Sequence, residues 1–504
     1  MIYASIIVEA VRARPALVFW LAALAQAALW LVVPVLFYSA PPGGLADVLA
    51  IGHEMRLGTI FGPPLAFWLA EIAYNLAGGV LGVYLLSQAC VVVTLWSLWA
   101  LGRDIVGARQ SVLAVLLMAG VSTANVATPD FGPAVLAMPL WSLTLLHSWR
   151  AVGLGRKSSW FALSLAIGLL LLTTYLGLLL VLLLDLFLLG SKRGRASART
   201  PGPWLCTIMV VIIVLPYGVW LSQQRDILRP ALTLLRGADA ARDILVWLRL
   251  LAGLLIAHSG VIVLAALASG WPFDRRRRTP TIDGMRDDLL GGFYVVLLAI
   301  VPALAATALL AVAQVQARLA TAAPLLVLSG LAVIVLAGPR IALHRQRILG
   351  YAWVVLVLAP PIIIALAVAT VPRLLPIELR VAQPAAALGT FFSETFARRT
   401  GRALSIVAGD QRLASLIALS ADSRPRLFID DKVTPWLTQD DIRQHGAVVV
   451  WPAIDTPGTP PAAIKAHFPT LVLEVPRTFE RPLQGFGPPL RVGWAVIRPG
   501  ISDQ

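Results

Sequence analysis

Residues 38–79, YSAPPGGLADVLAIGHEMRLGTIFGPPLAFWLAEIAYNLAGG, decide how this chain is read, because they form a polar, Gly/Pro-rich insert between two long apolar runs. The insert carries acids, His53, Arg56 and a Pro63-Pro64 turn where a membrane protein needs only a short loop. Such a concentration of polar groups beside a bilayer points to chemistry at the membrane surface.

The setting follows from composition. Hydrophobic residues make up 58% of the chain and charged residues 13%, and the mean hydropathy is +0.81. A soluble core of this length could not bury so much apolar surface, so the chain is a polytopic membrane protein. The first apolar run, Ala16 to Tyr38, exceeds the ~20 residues needed to cross a bilayer and lacks the short apolar region and small-residue site of a cleaved leader. It reads as a retained first span. Cys90 and Cys206 fall in apolar runs, where they act as small hydrophobes; they supply neither a disulfide framework nor a Cys-based metal site.

Apolar segments near 16–38, 80–101, 110–128, 133–149, 159–174, 176–190, 204–222, 244–270, 289–313, 319–338 and 351–371 give about eleven spans. The pair within 159–190 is short in each half, and its Thr173-Thr174-Tyr175 hinge suits a re-entrant turn as well. Basic residues cluster in alternate loops: Arg12 and Arg14, Arg103 and Arg109, Arg150 to Lys157, Lys192 to Arg199, Arg275 to Arg278, and Arg340 to Arg347. The positive-inside rule makes those loops cytoplasmic, with the N-terminus inside and the 38–79 insert and everything after Pro372 outside, which requires an odd span count. These arginines account for most of the net charge of +15, so nucleic-acid binding is not indicated.

From about Pro384 the apolar runs shorten to strand length. Leu404 to Ala408, Arg426 to Ile429, Ala447 to Trp451 and Thr470 to Val475 read as strands, with helices at Asp410 to Leu419 and Gln439 to His445 between them. A small α/β domain of roughly 110 residues is expected, as a cap or an acceptor-binding lid. Gly409-Asp410 is too slight for a phosphate-binding loop. The expected division is a membrane module over 1–383, with its outer-face loop at 39–79, and a periplasmic α/β domain over 384–504.

Within the insert, Leu45, Val48, Leu49, Ile51 and Met55 recur at roughly helical spacing, which suggests an interfacial helix from Leu45 to Leu57 presenting Asp47, His53, Glu54 and Arg56 away from the lipid. After Gly62-Pro63-Pro64, a second amphipathic helix from Leu65 to Leu76 carries Trp68, Glu71 and Tyr74.

The order of first span, outer loop and a Leu-Gly-x-x-x-x-Pro-Pro-Leu-x-x-Trp-Leu element resembles the family 39/83 membrane glycosyltransferases of the GT-C fold, which include protein O-mannosyltransferases and lipid A aminoarabinose transferases. Here the element runs from Leu57-Gly58 through Pro63-Pro64-Leu65 to Trp68-Leu69. Asp130, the Pro139-Leu140-Trp141 span and the α/β tail extend the resemblance over most of the chain. It implies a GT-C-like bundle in a bacterial inner membrane that moves a sugar from a polyprenyl-phosphate donor to a glycolipid, polysaccharide or protein acceptor on the periplasmic face, inverting the anomeric centre. Mannose, arabinose, an aminosugar or a hexuronic acid could be carried.

That chemistry needs a general base for the acceptor's proton. Asp47 is the first candidate, although the family opens this loop with an acidic residue and here the start reads Gly43-Gly44-Leu45-Ala46-Asp47. The bland alternative for Asp47 is a carboxylate that favours a helix N-terminus by ~0.3–1 kcal/mol. Glu54 lines the cavity or sits on a solvated face, and Asp130 orients the acceptor or simply forms a turn after Pro129. His53 binds sugar, ligates a metal or is an ordinary polar residue. The lipid phosphate needs cations, for which Arg56, Arg225, Arg229, Arg236, Arg318 and Arg373 are candidates, Arg318 first, unless they snorkel to headgroups. Tyr74 offers a stacking ring, and Tyr175 is a further substrate-binding candidate, although it and His258 are each compatible with plain packing. No dense ligand cluster demands an ion, so a divalent metal stays open. Two other classes remain: a non-catalytic relative that binds lipid carriers, and a transporter. The transporter lacks mid-helix charges and matched halves, Asp185 being the one acid inside a span.

Overall fold

The computed structural model describes residues 2–59, 61–126, 128–224, 240–269, 281–283, 288–312, 319–342, 346–374, 379–429, 434, 436–480 and 489–500. Its contacts divide the chain into two compact units: one of residues 1–32, 85–129 and 133–362, the other of residues 33–84, 130–132 and 363–504.

The first unit is helical. Its elements are α1 (Ile2–Ala13), most of α2 (Pro15–Phe37) and of α5 (Val80–Ile105), α6 (Ala108–Met118), α7 (Pro133–Ser148), α8 (Ser159–Leu171), α9 (Leu176–Gly190), α10 (Lys192–Ala198), α11 (Pro201–Gln223), α12 (Ala240–Ala257), α13 (Ser259–Ser269), α14 (Leu289–Val312), α15 (Ser329–Ala337) and the first part of α16 (Gln346–Leu374); α3 (Leu45–Gly52) and α4 (Leu65–Leu76) lie in the second unit. Near its core, the buried Tyr294 of α14 donates to the Leu145 carbonyl at 2.8 Å and packs against Trp149 and Phe187.

Among the described residues, five helices are long and apolar enough to cross a membrane: α2, α5, α11, α14 and Arg347–Val371 within α16. A sixth crossing is available if Asp243–Ala257 and Ser259–Ala268, bent by 53°, form one broken span. The other expected segments fold into shorter helices. α8 and α9 have 13 and 15 residues, which at 1.5 Å per residue makes each about 20 Å long against a hydrocarbon core of about 30 Å.

The second unit holds a five-stranded sheet in the order β4-β3-β5-β7-β6, with β3 (Ile406–Gly409), β4 (Arg426–Phe428), β5 (Ala447–Pro452), β6 (Arg477–Phe479) and β7 (Leu490–Ile497). β1 (Thr281–Asp283) and β2 (Arg340–Ala342) form a separate two-stranded ladder in the first unit. β3 pairs parallel with β4 and β5, and β7 pairs antiparallel with β5 and β6. The β3–β4 crossover is α18 (Gln411–Ser420), preceded by α17 (Ala385–Thr400); α19 (Gln439–His445) and α20 (Ala462–His467) follow. Parallel neighbours need such a helical crossover. The sheet is filled by Ile406, Phe428, Val449 and Trp451, all buried.

Three expected strands are present within a residue or two. Thr470 to Val475 is not a strand: it makes one isolated bridge, Leu473 to Ala495, because Val472 and Val475 are exposed and Pro476 removes a donor at its end. Pairing resumes in β6 and β7. Gly409-Asp410 closes β3 and opens α18, where the Asp410 carboxylate accepts from the Leu413 amide at 3.0 Å as an N-cap.

Candidate functional site

The insert folds as part of the second unit. Ser39 and Ala40 donate their amides to the Val381 carbonyl at 2.9 and 3.1 Å, joining the end of the first span to the chain that leaves the last. α3 (Leu45–Gly52) packs between α4 (Leu65–Leu76) and α18. It differs from the expected interfacial helix: it stops at Gly52, and seven of its eight residues are buried, all but Asp47. The apolar side expected to face lipid is covered by α18, a partner some 360 residues away in sequence. Gly52 makes the fit: a Cβ there would lie 2.5 Å from the Phe67 carbonyl oxygen of α4.

The N-terminal turn of α3 holds two candidate acids. Asp47 sits in the first turn, where the macrodipole favours a carboxylate, and accepts from the Gln411 side-chain amide at 3.0 Å. Asp130 accepts from the Gly44 amide at 3.0 Å. Gly43 has φ +52°, and a Cβ on it would overlap the Asp130 carboxylate, 1.8 Å from Oδ2. Tyr38, one residue beyond α2, has its phenol pushed up to about 12 by burial and by the nearby Asp130 carboxylate.

At the other end of α3 lies an ion-pair cluster. Glu71 is the one charged residue on the buried face of α4, beside Ala66, Phe67 and Ala70. Its carboxylate receives Arg424 Nη2 at 2.8 Å and Asn75 at 3.3 Å, and pairs with His53 Nδ1 at 3.0 Å. The Arg424 guanidinium also lies 4.3 Å from the Tyr74 ring centre, while its Nη1 is buried without a hydrogen bond among the described residues. Glu54, 9% exposed, takes Arg426 Nε on one oxygen at 2.7 Å and Arg56 Nη2 on the other at 3.7 Å. Arg56 is half-exposed, lies 5.9 Å from the Trp436 ring centre and accepts the Trp68 indole N–H on its backbone carbonyl at 2.8 Å.

One unit thus gathers Asp47, Asp130, His53, Glu54, Arg56 and Tyr74. Tyr175 lies in the other unit, where its hydroxyl bonds that of Tyr217 at 2.6 Å, and His258 bridges the Leu254 carbonyl and the Ser329 hydroxyl. Arg225, Arg229, Arg236 and Arg318 lie outside the described residues, as does the side chain of Arg373. Sequence reasoning missed Glu71, Arg424, Arg426 and Gln411 as site residues. A lone acid on an otherwise small and apolar helix face was a usable signal for Glu71, whereas the three tail residues carry no local pattern. Among the described residues no three His, Cys, Asp or Glu side chains group so as to hold a metal ion.

Residues 62–220 match the sequence model of the dolichyl-phosphate-mannose-protein mannosyltransferase family. No curated protein matches the chain. Among solved structures, ArnT from Cupriavidus metallidurans in the apo state aligns with a TM-score of 0.48 at 15% identity, over 95% of this chain and 97% of that one. The same protein bound to undecaprenyl phosphate aligns at 0.48 and 12% identity, over 97% and 98%.

Proposed function

We propose that the chain is a membrane glycosyltransferase of the polyprenyl-phosphate-dependent kind, moving a sugar to an envelope glycolipid, polysaccharide or secreted protein with inversion at the anomeric carbon. The observation that carries this reading is the family match over residues 62–220, which opens at the Gly62-Pro63-Pro64 turn and takes in α4, the helix that buries Glu71 in the charged cluster.

In this reading Asp47 accepts the acceptor's proton, oriented by the neutral amide of Gln411. Asp47 is the one residue of α3 that is not buried, and a carboxylate offers about four acceptor positions. Asp130 fixes the start of α3 and so the place of Asp47. Arg56, half-exposed and steered by Glu54, is the cation offered to the leaving lipid phosphate, where a charge-assisted bond stabilises the developing negative charge. His53 and Tyr74 contribute a polar edge and a ring face for sugar.

The topology has support of its own. α3 packs on α18 and Glu54 and Glu71 pair with Arg426 and Arg424, so insert and tail share one face of the membrane. An even number of crossings must separate them. The five long helices, less the first, give an even number and the bent pair added to them an odd one; the about eleven spans of the sequence reading, less the first, also give an even number. The eleven-span arrangement meets that parity, and we retain it in a bacterial inner membrane, with the N-terminus cytoplasmic and an α/β domain over 384–504 periplasmic.

The test is incubation of purified protein with a panel of radiolabelled polyprenyl-phosphate sugars and an envelope extract. Label moving from carrier to acceptor is the expected result. Carrier binding without transfer across the whole panel would favour a non-catalytic relative, and uptake of label into proteoliposomes without transfer would favour a transporter.

A further inference from the structure

A cavity of about 990 Å³ opens between α8 and α11, with the 151–157 and 196–202 segments at its mouth. Lys157 and Arg199 line the mouth, and Trp160, Phe161, Leu205 and Ile208 line the wall. Within these basic loops Lys157 and Arg199 are the cations that line the cavity, whereas Arg156 and Lys192, exposed as well, lie outside it. Arg150 is paired with Asp104, Arg193 with Asp288, and Arg195 is spent on the Leu189 and Gly190 carbonyls at the end of α9. Lys157 and Arg199 are exposed, and neither has a carboxylate or carbonyl partner among the described residues. Below them, Phe161, Leu205 and Ile208 are 62%, 62% and 56% exposed, an apolar wall left largely uncovered by the described residues.

We propose that this cavity binds an anionic phospholipid of the leaflet that faces the basic loops, with its phosphate between Lys157 and Arg199 and the start of one acyl chain along Phe161, Leu205 and Ile208. The wall from Leu205 to Ile212 follows about 10 Å of helix, enough for the first part of a chain and no more. Charge complementarity selects the headgroup: two cations without internal partners at the lipid surface favour a net negative lipid over a zwitterionic one, and each basic residue adds to that preference. The positive-inside reading puts this mouth on the cytoplasmic side, where anionic diacyl lipids are at hand. The site is separate from the charged cluster around α3 and requires no part of the transfer reaction.

The experiment is lipid binding to the purified full chain in detergent, read by native mass spectrometry with phosphatidylglycerol, phosphatidylcholine and a polyprenyl phosphate as probes. Wild type is expected to retain phosphatidylglycerol about tenfold over phosphatidylcholine, and Lys157→Gln with Arg199→Gln to abolish that preference. Arg156→Gln with Lys192→Gln removes the same charge from the same loops but outside the cavity, and is expected to keep it. Ile208→Trp, which fills the wall and leaves both cations in place, is expected to weaken retention of phosphatidylglycerol. Equal retention of the two diacyl lipids, equal loss in the two double variants, or stronger retention of polyprenyl phosphate than of phosphatidylglycerol would each overturn the proposal.

Discussion

Removing Arg424 tests whether the buried charges around α4 act as a unit. Glu71 is 5% exposed and Arg424 15%, and replacing Arg424 with Met removes the 2.8 Å ion pair and the contact over Tyr74. Glu71 would keep only His53 and Asn75. Stranding one partner of a buried pair costs about 3–5 kcal/mol, while replacing both partners by neutral groups of similar shape is often close to neutral. Arg424 sits at φ 46°, but Met bears the same backbone cost there, so strain cancels in the comparison. For a unit of about 200 residues, the single variant is expected to lose roughly 6–20 °C in thermal unfolding. The assay is a cycle of Arg424→Met, Glu71→Gln and the double variant, scanned at one rate in one detergent by tryptophan fluorescence. The double variant should lose much less than the sum of the two single losses, a coupling of about 2–3 kcal/mol. Additive losses, or single losses below about 0.5 kcal/mol, would refute the unit.

Three further outcomes are expected. Gly52→Ala presses a methyl against the Phe67 carbonyl; since both sides are backbone, the α3–α4 contact should loosen at a cost of about 1–3 kcal/mol, read as faster proteolysis of the insert. Gly43→Ala displaces the Asp130 carboxylate and strains φ +52°, and should lower transfer more than it lowers Tm, whereas Gly44→Ala, with open space at its Cβ, should change neither. Glu474 receives Arg399 Nη2 at 3.1 Å and a second bond from Nη1, and this hydrogen bond, then the Arg399 charge, holds its carboxyl below the usual range. A folded pKa below the unfolded one of about 4.3 gives stability that is full above that value and lost as pH falls through the folded pKa. Wild type should therefore exceed Glu474→Gln by no more than about 1 kcal/mol at pH 7, and the two should converge in acid when compared by thermal scans.

Much of the architecture was legible because its signals are local. The apolar runs that became helices and the short β-like runs after Pro384 each follow from a period or a composition that one window reveals. α4 was read from Leu65 to Leu76 with the bounds it has, since Pro63-Pro64 sets its start and its apolar positions keep helical spacing. α3 was misread as interfacial because burial by α18 depends on a contact across most of the chain, and a Leu-rich helix face looks the same whether lipid or protein covers it. The site divides the same way. Asp47, Glu54 and Asp130 stood out as acids at turns beside spans, but their partners Gln411 and Arg426 come from the tail, and no spacing rule links them. Glu54, expected to do chemistry, has both carboxylate oxygens engaged by arginines, which suits it better to placing Arg56 than to taking a proton.

Asp47 is the proposed base for sugar transfer from a polyprenyl-phosphate carrier. That role is tested most directly by transfer and donor binding measured on wild type and Asp47→Asn side by side in the same detergent. Asn keeps the size of Asp and can still bond the Gln411 amide after a flip, so the fold and the binding of donor should persist while transfer falls by about 10²–10⁴. Transfer by Asp47→Asn at the wild-type rate would contradict the assignment and move the base to Glu54 or Asp130.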